Sequence, residues 1–377
     1  MTTALHLFRD AYLKACEGSS PHAYVLAQCD RPDAEQLLCG GRDRGEHPRL
    51  DTTAAANAAS AMSRGGHPFT LVDFSSSQLT SGCVDPLVKL LQDDSTIETL
   101  SLSNNDLGPE DITALCGAAS KNVILRELDF GSNTAGAEGG LAAADMLQQN
   151  STLKTLRLGN CSLDTQGIIA IATVLQGNST LELLDISRPL ATAQQMEEAL
   201  SHIGRMLSSN TALIQLDLSK CRIRDHGLSM IASALLQAGS KSRLSSLFLR
   251  CNEISLRESD AVGEFGKLMA SYACHLVRLD LSANRLQDDG ALILSEQLNS
   301  NSTLTHLDIT HNSITSCGLC ALGPVLARHR SITTVAVIGN RFDSAACRSW
   351  LPALQTKLKV DFGIQEVDGV YSCVPMA

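Results

Sequence analysis

The 377-residue sequence predicts an α/β solenoid, a horseshoe-shaped stack of about ten repeats with parallel strands on the concave face and helices on the convex face. Three observations predict this fold. A leucine-rich pattern returns every 28 to 32 residues, each copy joins a strand-like segment to a helix-like segment, and aromatic residues make up only 3% of the chain. A period of this length is typical of stacked repeats that contact only their neighbours, and such thin layers can be filled by aliphatic side chains.

The repeat is clearest where IETLSLSNNDL at 97–107 returns as LRELDFGSN at 125–133 and LKTLRLGNCSL at 153–163. The copies begin at residues 69, 97, 125, 153, 181, 213, 244, 276, 304 and 332. The steps are therefore 28 residues four times, then 32, 31 and 32, then 28 twice. The blocks match L-x-x-L-x-L-x-x-N/C-x-L, the pattern of leucine-rich repeats. A 28-residue period with a full helix resembles the ribonuclease-inhibitor subclass of these repeats, over residues 69 to about 355.

Each repeat predicts a short strand, a turn and a helix. Alternation such as Leu279-Asp-Leu281 is typical of a strand with one buried face. Asn284, Asn312 and Asn340 follow such strands, where a buried amide can satisfy the backbone as the chain turns, and Cys161 and Cys221 replace Asn at the same position. The helical spacing that follows places a helix after each turn. The repeats are expected to occupy residues 69–356.

The N-terminal residues 1–68 are expected to cap the stack. Leu5, Phe8 and Tyr12 share one face of a predicted helix, and the Ala-rich residues 52–63 fit the helix of a degenerate repeat whose strand ends at Leu50.

Two further segments complete the predicted caps. Leu37 and Leu38 offer apolar cover, and the glycine-rich residues 40–48 are expected to form an exposed loop. At the other end, residues 357–377 are expected to cap the stack with one strand at 358–362, followed by a short tail.

Charge and cysteine content narrow the function classes. Thirty Lys and Arg against 40 Asp and Glu give a net charge of −10, which disfavours binding to nucleic acid or an anionic membrane. No run of about 18 apolar residues and no signal peptide is evident, so we expect a soluble, cytoplasmic protein. The 13 Cys are scattered in a long chain and are expected to be reduced and mostly buried.

Candidate chemical sites each have a simpler structural explanation. The Asn-Ser-Thr triplets at 150–152, 178–180 and 301–303 match the glycosylation sequon, but they recur in register at the repeat junction. Cys317 and Cys320 have redox or zinc spacing without a second pair, which favours core packing, and His306 and His311 lack a carboxylate partner at fixed spacing. Motifs for nucleotide binding or a nucleophilic serine are missing. We therefore expect no catalytic residues, no metal and no cofactor.

One column of residues points outward from the predicted concave sheet and is mostly acidic. Its members are Asp73, Ser101, Asp129, Arg157, Asp185, Asp217, Phe248, Asp280, Asp308 and Ala336. Two interpretations remain open. In the first, the aspartates have no binding function, because Leu-Asp-Leu is a common sequence in these repeats and an aspartate exposed to solvent costs little free energy. Alternatively, the column is an acidic ribbon that binds a basic segment of a protein partner, with Arg157 and Phe248 as hot-spot residues.

The three long repeats predict a second functional feature. Pro189 takes the Asn position within residues 187–190, which removes a backbone donor and predicts a re-routed loop beside Arg188. Residues 237–244 and 255–265 extend the next two repeats. We expect three adjacent loop enlargements on one edge that carry function, although neutral drift in loop length explains them equally well.

Two short segments resemble intracellular leucine-rich repeat proteins linked with cilia and flagella. They are LDISRPL at 184–190 and DFGIQEVDGVY at 361–371. The resemblance implies a non-enzymatic structural or assembly component of an axoneme complex. An inhibitor or a GTPase-activating regulator of a cytosolic enzyme remains the alternative. The chain is acidic and Cys-rich like ribonuclease inhibitors but has few Trp and Tyr, and it lacks the strongly acidic tail of Ran GTPase-activating proteins.

Overall fold

The computed structural model describes residues 2–29, 31, 35–40, 49–272 and 275–376. The chain divides into two compact units, Met1–Leu190 (unit 1) and Ala191–Ala377 (unit 2). The division follows Pro189 by one residue, in the repeat whose turn lacks the usual asparagine.

Unit 1 begins with two helices and then alternates strands with helices. Its helices are α1 (Thr2–Ala15), α2 (Ala23–Cys29), α3 (Thr52–Met62), α4 (Val84–Asp93), α5 (Pro109–Ala119), α6 (Gly136–Gln149) and α7 (Thr165–Leu175), with a 3-10 turn at Ser81–Cys83. Its strands are β1 (Gln36–Leu38), β2 (Leu71–Asp73), β3 (Thr99–Ser101), β4 (Glu127–Asp129), β5 (Thr155–Arg157) and β6 (Leu183–Asp185). All neighbouring strands pair in parallel, and equivalent residues of successive repeats face each other.

Unit 2 repeats the same alternation and ends in a hairpin. Its helices are α8 (Ala193–Ser209), α9 (Asp225–Ala238), α10 (Ser259–Ala270), α11 (Gln287–Leu298), α12 (Ser316–Arg328) and α13 (Ser344–Leu354), with a 3-10 turn at Gly239–Lys241. Its parallel strands are β7 (Gln215–Asp217), β8 (Ser246–Phe248), β9 (Arg278–Asp280), β10 (His306–Asp308), β11 (Thr334–Ala336) and β12 (Lys359–Val360). The hairpin consists of β13 (Phe362–Val367) and β14 (Val370–Pro375). The predicted α/β solenoid is confirmed.

The leucine positions of the repeat form the core between strands and helices. In the repeat that contains β9, Leu276, Leu279, Leu281 and Leu294 are all at most 1% exposed. The predicted role of the asparagine is confirmed at Asn312, which is fully buried. Its Nδ2 donates to the carbonyl oxygens of Leu281 at 2.9 Å and Ile309 at 3.1 Å. One side chain thus links two successive repeats, as a buried amide must if its donors are to be satisfied.

The N-terminal repeat differs from the prediction in its strand. The helix α3 is where it was expected, and Asp51 caps it by accepting a hydrogen bond from the Ala54 N–H at 2.7 Å. The strand, however, is β1, and Leu50 is a buried residue outside any strand. The assignment to Leu50 was wrong because the chain between strand and helix is much longer here than in later repeats. Most of the loop predicted at 40–48 lies outside the described residues.

The C-terminal residues form a larger cap than the sequence predicted. The strand expected at 358–362 is present as β12, but the segment after it is a hairpin and not a tail. Phe362 at the start of β13 packs against Phe342 and Trp350, with ring centroids 4.8 and 5.5 Å apart. Trp350, the single Trp of the chain, is fully buried by this contact. The hairpin therefore covers the last helix, as the end of a solenoid requires.

The extra residues of the long repeats do not form three loops on one edge, so that prediction was wrong. In the Pro189 repeat they lengthen α8 to 17 residues. This helix begins at a capping box formed by Thr192 and Gln195, and its buried apolar positions continue to Leu207. In the next repeat they form the 3-10 turn after α9. Only the repeat of β8 enlarges the loop between its strand and helix, at residues 249–258.

Candidate partner-binding surface

The column that the sequence singled out lies on the side of the strands that faces away from the helices, here called the strand face. It is the last residue of each three-residue strand, and its side chains are half-buried while the residue before each is buried. In unit 1 the strand register places Arg157 between Asp129 and Asp185. In unit 2 it places Phe248 between Asp217 and Asp280, with Asp308 on the next strand.

The column aspartates share a local structural role. In each, Oδ1 accepts a hydrogen bond from the backbone N–H two residues later, as in an Asx-turn. The donors are Ser75 for Asp73, Gly131 for Asp129, Ser187 for Asp185, Ser219 for Asp217, Ser282 for Asp280 and Thr310 for Asp308, at 2.8 to 2.9 Å. Asp thus recurs in part because it closes the turn after the strand. Charge is a second property of the same side chains.

Basic side chains accompany the aspartates in unit 1. The Arg157 guanidinium lies 3.7 Å from the Glu127 carboxylate, and Lys154 lies 2.9 Å from Glu182. Burial raises the pKa of Asp129, although the Gly131 N–H and Arg157 oppose the shift. Arg157 therefore already has acidic neighbours within its own unit, and the strand face of unit 1 carries both signs of charge.

The strand face of unit 2 contains a pocket of about 200 Å³, here called the Phe248 pocket. One row of its lining consists of the last residues of β8 to β11, which are Phe248, Asp280, Asp308 and Ala336. A second row consists of the first residues of β9 to β11, which are Arg278, His306 and Thr334, and the middle residues Leu279 and Leu307 complete the lining. Burial raises the pKa of Asp308, and the carboxylates of Asp280 and Asp361 raise it further against the hydrogen bonds from Thr310. The Asp row is therefore a place where negative charges repel one another.

The eight residues proposed from the sequence fall into two groups. Asp129, Arg157, Asp185 and Arg188 belong to unit 1, and Asp217, Phe248, Asp280 and Asp308 belong to unit 2. Arg188 is exposed and has a φ of +53°, a left-handed conformation that Ser132 and Asn160 adopt at the same position of the preceding repeats. Its backbone thus follows the regular turn despite the Pro that comes next.

Sequence reasoning did not identify Arg278 as part of this surface and considered His306 only as a metal ligand. Both occupy the first position of their strands, two residues before the column, and so share its face. The period-2 alternation that identified the column would have identified this second row as well. His306 Nδ1 lies 2.7 Å from Thr305 Oγ1.

The other candidate sites have structural roles. At the repeat junctions, Asn150 and Asn301 are buried, and their Oδ1 atoms accept the N–H groups of Leu153 and Leu304 at 2.8 and 2.9 Å, so these sequons serve the turn after the helix. Cys317 is exposed and Cys320 half-buried, so their assignment to core packing was wrong for Cys317. The buried residues of that helical turn are instead Gly318 and Leu319.

The described ranges contain neither a cluster of metal-binding side chains nor a helix that could cross a membrane. No group of three or more His, Cys, Asp or Glu side chains among those residues is placed to hold a metal ion. Within the same ranges, no helix has the length and apolar character needed to cross a membrane. Eight of the 12 described cysteines are buried, and burial raises the pKa of Cys116 to about 12. Such thiols stay protonated and behave as small apolar core residues.

Comparison with known proteins agrees with this architecture. The Leucine Rich repeat family model matches residues 94–116, 149–172, 209–232, 272–295 and 300–323. Human (Homo sapiens) leucine-rich repeat-containing protein 34 is 35% identical over 172 residues, which are 46% of this chain and 36% of that protein. Ribonuclease inhibitor from Sus scrofa is 28% identical over 137 residues, which are 36% of this chain and 29% of the inhibitor. The matched part is less than half of the length of the curated relatives.

A solved structure supports the fold over most of the chain. One chain in the crystal structure of the Rad7 and Elc1 complex in yeast has a TM-score of 0.55, with 13% identity, over 95% of this chain and 88% of that chain. Leucine-rich repeats indicate a scaffold for protein–protein interaction, and proteins built from them are typically not enzymes. From its repeats and its strand register, the chain is built of leucine-rich repeats, and its sequence resembles proteins of the ribonuclease-inhibitor-like class.

Proposed function

We propose that this chain is a non-enzymatic scaffold whose strand face binds a basic segment of a partner protein, with the Phe248 pocket as the anchoring point in unit 2. The observation that carries the proposal is the placement of an aromatic ring beside two carboxylates on successive strands. A Lys or Arg side chain in this pocket gains a cation–π contact with Phe248 and neutralises the repulsion between Asp280 and Asp308.

The charges of the pocket determine how the bound segment is oriented across it. Arg278 and His306 occupy the row opposite Phe248, Asp280 and Asp308. A cation of the partner is therefore directed to the Asp row, and an acidic or polar residue next to it faces Arg278. Complementary charge of this kind sets register and specificity more than it sets affinity.

The proposal is tested by comparing the complexes that form with the wild type and with Phe248→Ala. The tagged proteins are purified from cells and the co-purifying proteins identified. Phe248→Ala is expected to lose a partner that contains a basic segment, because a half-buried aromatic ring is a typical hot spot. Val277→Ala, which shortens an exposed apolar side chain beside the pocket, is the control. If Phe248→Ala keeps every partner, the pocket is not the anchor.

The same experiment separates the two units. Arg157→Ala and Arg188→Ala change unit 1 alone, so they are tested separately from Phe248→Ala. A partner lost only with the unit 1 variants assigns its footprint to that unit. If neither variant loses a partner, these two residues do not belong to a binding surface.

For the cellular role we propose a structural or assembly component of a ciliary or flagellar axoneme complex. The support is the similarity to leucine-rich repeat-containing protein 34, together with the segments 184–190 and 361–371, which resemble ciliary leucine-rich repeat proteins. A tagged copy expressed in a ciliated cell is expected to accumulate in the cilium. A diffuse or nuclear distribution would contradict this role without affecting the binding proposal.

An inhibitor or regulator of a cytosolic enzyme is the second candidate, favoured by the similarity to ribonuclease inhibitor. The few aromatic residues, 3% of the chain, weigh against a ribonuclease-inhibitor type of contact surface. The purified protein is added to a pancreatic-type ribonuclease and, separately, to Ran-GTP. Inhibition of the former, or faster hydrolysis of GTP in the latter, would favour this candidate over the scaffold.

A further inference from the structure

A groove of about 590 Å³ lies in unit 2 where the helices α10, α11 and α12 end, on a different side of the repeats from the strand face. We call it the Arg328 groove. The residues that carry its chemistry are Tyr272, Asn299, Ser300, Ser302, Arg328 and Arg330. No acidic residue belongs to its described lining, although the chain as a whole has a net charge of −10.

Unit 1 has an equivalent groove that serves as an internal comparison. It has a volume of about 520 Å³ and is lined by residues of 147–151 and 173–180, where α6 and α7 end. Its described lining consists of neutral residues such as Gln148, Ser151 and Thr173. The groove itself is therefore a product of the repeat architecture, whereas its basic and aromatic lining is particular to unit 2.

The two arginines flank a residue that is fixed in place. His329 Nδ1 accepts the Ile332 N–H at 3.2 Å, and its Nε2 lies 3.0 Å from the Leu298 carbonyl oxygen, to which it donates in the neutral ring. Burial lowers the pKa of His329, against the bond to Leu298, so the ring stays neutral at physiological pH. The positive charge of the groove therefore comes from Arg328 and Arg330, which are exposed and have no ion-pair partner in the described part of the chain.

The helix ends do not explain the arginines. Arg328 is in the last turn of α12, where a cation interacts favourably with the unpaired carbonyl groups. The helices α6, α7 and α11 nevertheless end without a basic residue in the last turn. Arg330 lies beyond the helix altogether. Neither the fold nor the helix dipole requires this pair.

From this chemistry we infer that the Arg328 groove binds an acidic segment of a partner protein. Two guanidinium groups can each take a carboxylate in a bidentate pair, and the Tyr272 ring, 87% exposed, can cover an apolar side chain beside it. Arg and Tyr are residue types that dominate binding energy at interfaces. Nucleic acid is a poorer candidate because its many phosphates would meet an acidic protein. This surface is separate from the Phe248 pocket, and its charge is opposite to that of the Asp280 and Asp308 row, so the two could hold different segments at once.

The test measures binding of a fluorescein-labelled, glutamate-rich peptide with a central leucine to the full chain by fluorescence anisotropy. Replacing both groove arginines by glutamine, Arg328→Gln with Arg330→Gln, is expected to weaken binding about tenfold or more. The matched control, Arg222→Gln with Arg250→Gln, removes the same charge from two exposed residues of unit 2 outside the groove and is expected to change binding less than about twofold. Tyr272→Ala should weaken binding of the leucine-containing peptide but should leave binding of an all-glutamate peptide unchanged.

Three outcomes would overturn the inference. If the groove and control variants weaken peptide binding equally, binding depends only on the overall charge of the protein. Unchanged binding by the groove variant would place the peptide elsewhere. A single-stranded oligonucleotide that binds more tightly than the peptide, and loses its binding in the groove variant, would identify a nucleic-acid site. All four substituted arginines are exposed, and circular dichroism of each variant checks that it is folded.

Discussion

At the scale of single residues, an aspartate at the end of a strand can serve as a hydrogen-bond acceptor for the following turn or as a negative charge for binding. Asp280 has the position for both roles. Its Oδ1 accepts the Ser282 N–H at 2.8 Å, and its carboxylate lies beside Phe248 and Asp308 in the pocket. The sequence alone left these two interpretations open, and the hydrogen bond supports the structural one without removing the other.

Replacing Asp280 separates geometry from charge. In Asp280→Asn the amide oxygen can still accept the Ser282 N–H, so we expect the free energy of unfolding to change by less than about 0.5 kcal/mol. Asp280→Ala loses that hydrogen bond and should cost about 1 kcal/mol. Both variants should weaken binding of an arginine-containing peptide, measured by titration calorimetry beside urea unfolding. If Asp280→Asn binds the peptide as well as the wild type does, the aspartate is there for its turn alone.

Residues differed in how far the sequence could predict their roles. The buried asparagines, such as Asn284 and Asn312, were predictable because their position in the repeat fixes their surroundings. Asp225 was not. It occupies the first turn of α9, where an acidic residue usually faces solvent and favours the helix end. Its actual partners lie about 30 residues later in the chain, a distance over which one sequence gives no local signal.

At the scale of elements, Asp225 organises the enlarged loop at 249–258. The carboxylate is 2% exposed and accepts the backbone N–H groups of Ser255 at 2.7 Å, Leu256 at 3.0 Å and Arg257 at 2.8 Å. The Ser255 hydroxyl and the Glu258 N–H also donate to it. One side chain of α9 thus supplies acceptors for a loop of the following repeat. Without it, these donors would be left unsatisfied.

Asp225 should therefore make stability depend on pH. Burial raises its pKa, but the backbone donors of Ser255 and Arg257 outweigh burial, and the net shift is downward. Because the pKa of an unfolded aspartate is about 3.9, the stabilisation is fully present above that pH and is lost as pH falls through the lower folded pKa. Asp225→Asn should cost about 1–3 kcal/mol at pH 7.

The difference in unfolding free energy between the wild type and Asp225→Asn is the quantity to measure, from pH 7 down to acid. Other carboxylates titrate in both proteins and cancel in this difference. We expect the difference to shrink as the wild-type carboxyl becomes protonated. A difference that stays constant across the range would show that the charged form has no special role in holding the loop.

The helix α8 shows why loop lengths were mispredicted. A repeat length alone does not say whether extra residues extend a loop or a helix, and Pro189 drew attention to the loop. Residues 193–209 continue the apolar spacing of a helix through an additional turn, with Met196, Leu200, Ile203 and Leu207 all buried. Helical periodicity over this segment was the stronger signal, since a regular buried stripe predicts an element better than a length difference does.

At the scale of the whole molecule, composition follows from the layered architecture. Each repeat contributes a few aliphatic side chains to a thin core, which explains why 3% aromatic residues suffice. The aromatic residues that are present concentrate at the chain ends, as Phe8 against Phe69 and Phe362 against Trp350. The period made the stack predictable. The C-terminal hairpin was not predictable, because it does not repeat. The division after Leu190 had one signal in the sequence, Pro189 in place of the asparagine of the repeat.

Each repeat packs only against its neighbours, and this predicts how stability changes when a cavity is made in one repeat. Leu281 is fully buried in the repeat of β9, and its carbonyl oxygen accepts from both Asn284 and Asn312. Leu281→Ala should cost about 2–5 kcal/mol. The matched control Leu292→Ala, on α11 of the same repeat but 39% exposed, should cost less than about 0.5 kcal/mol.

Hydrogen exchange can locate the loss within unit 2. Because stability in a repeat array is a sum of each repeat and its interfaces with its neighbours, the amides of β8, β9 and β10 should lose most protection in Leu281→Ala. Those of β11 and of the hairpin should lose progressively less with distance from the cavity. An equal loss at every amide of unit 2 would contradict this expectation, because it would mean that the unit opens as one cooperative body despite its layered construction.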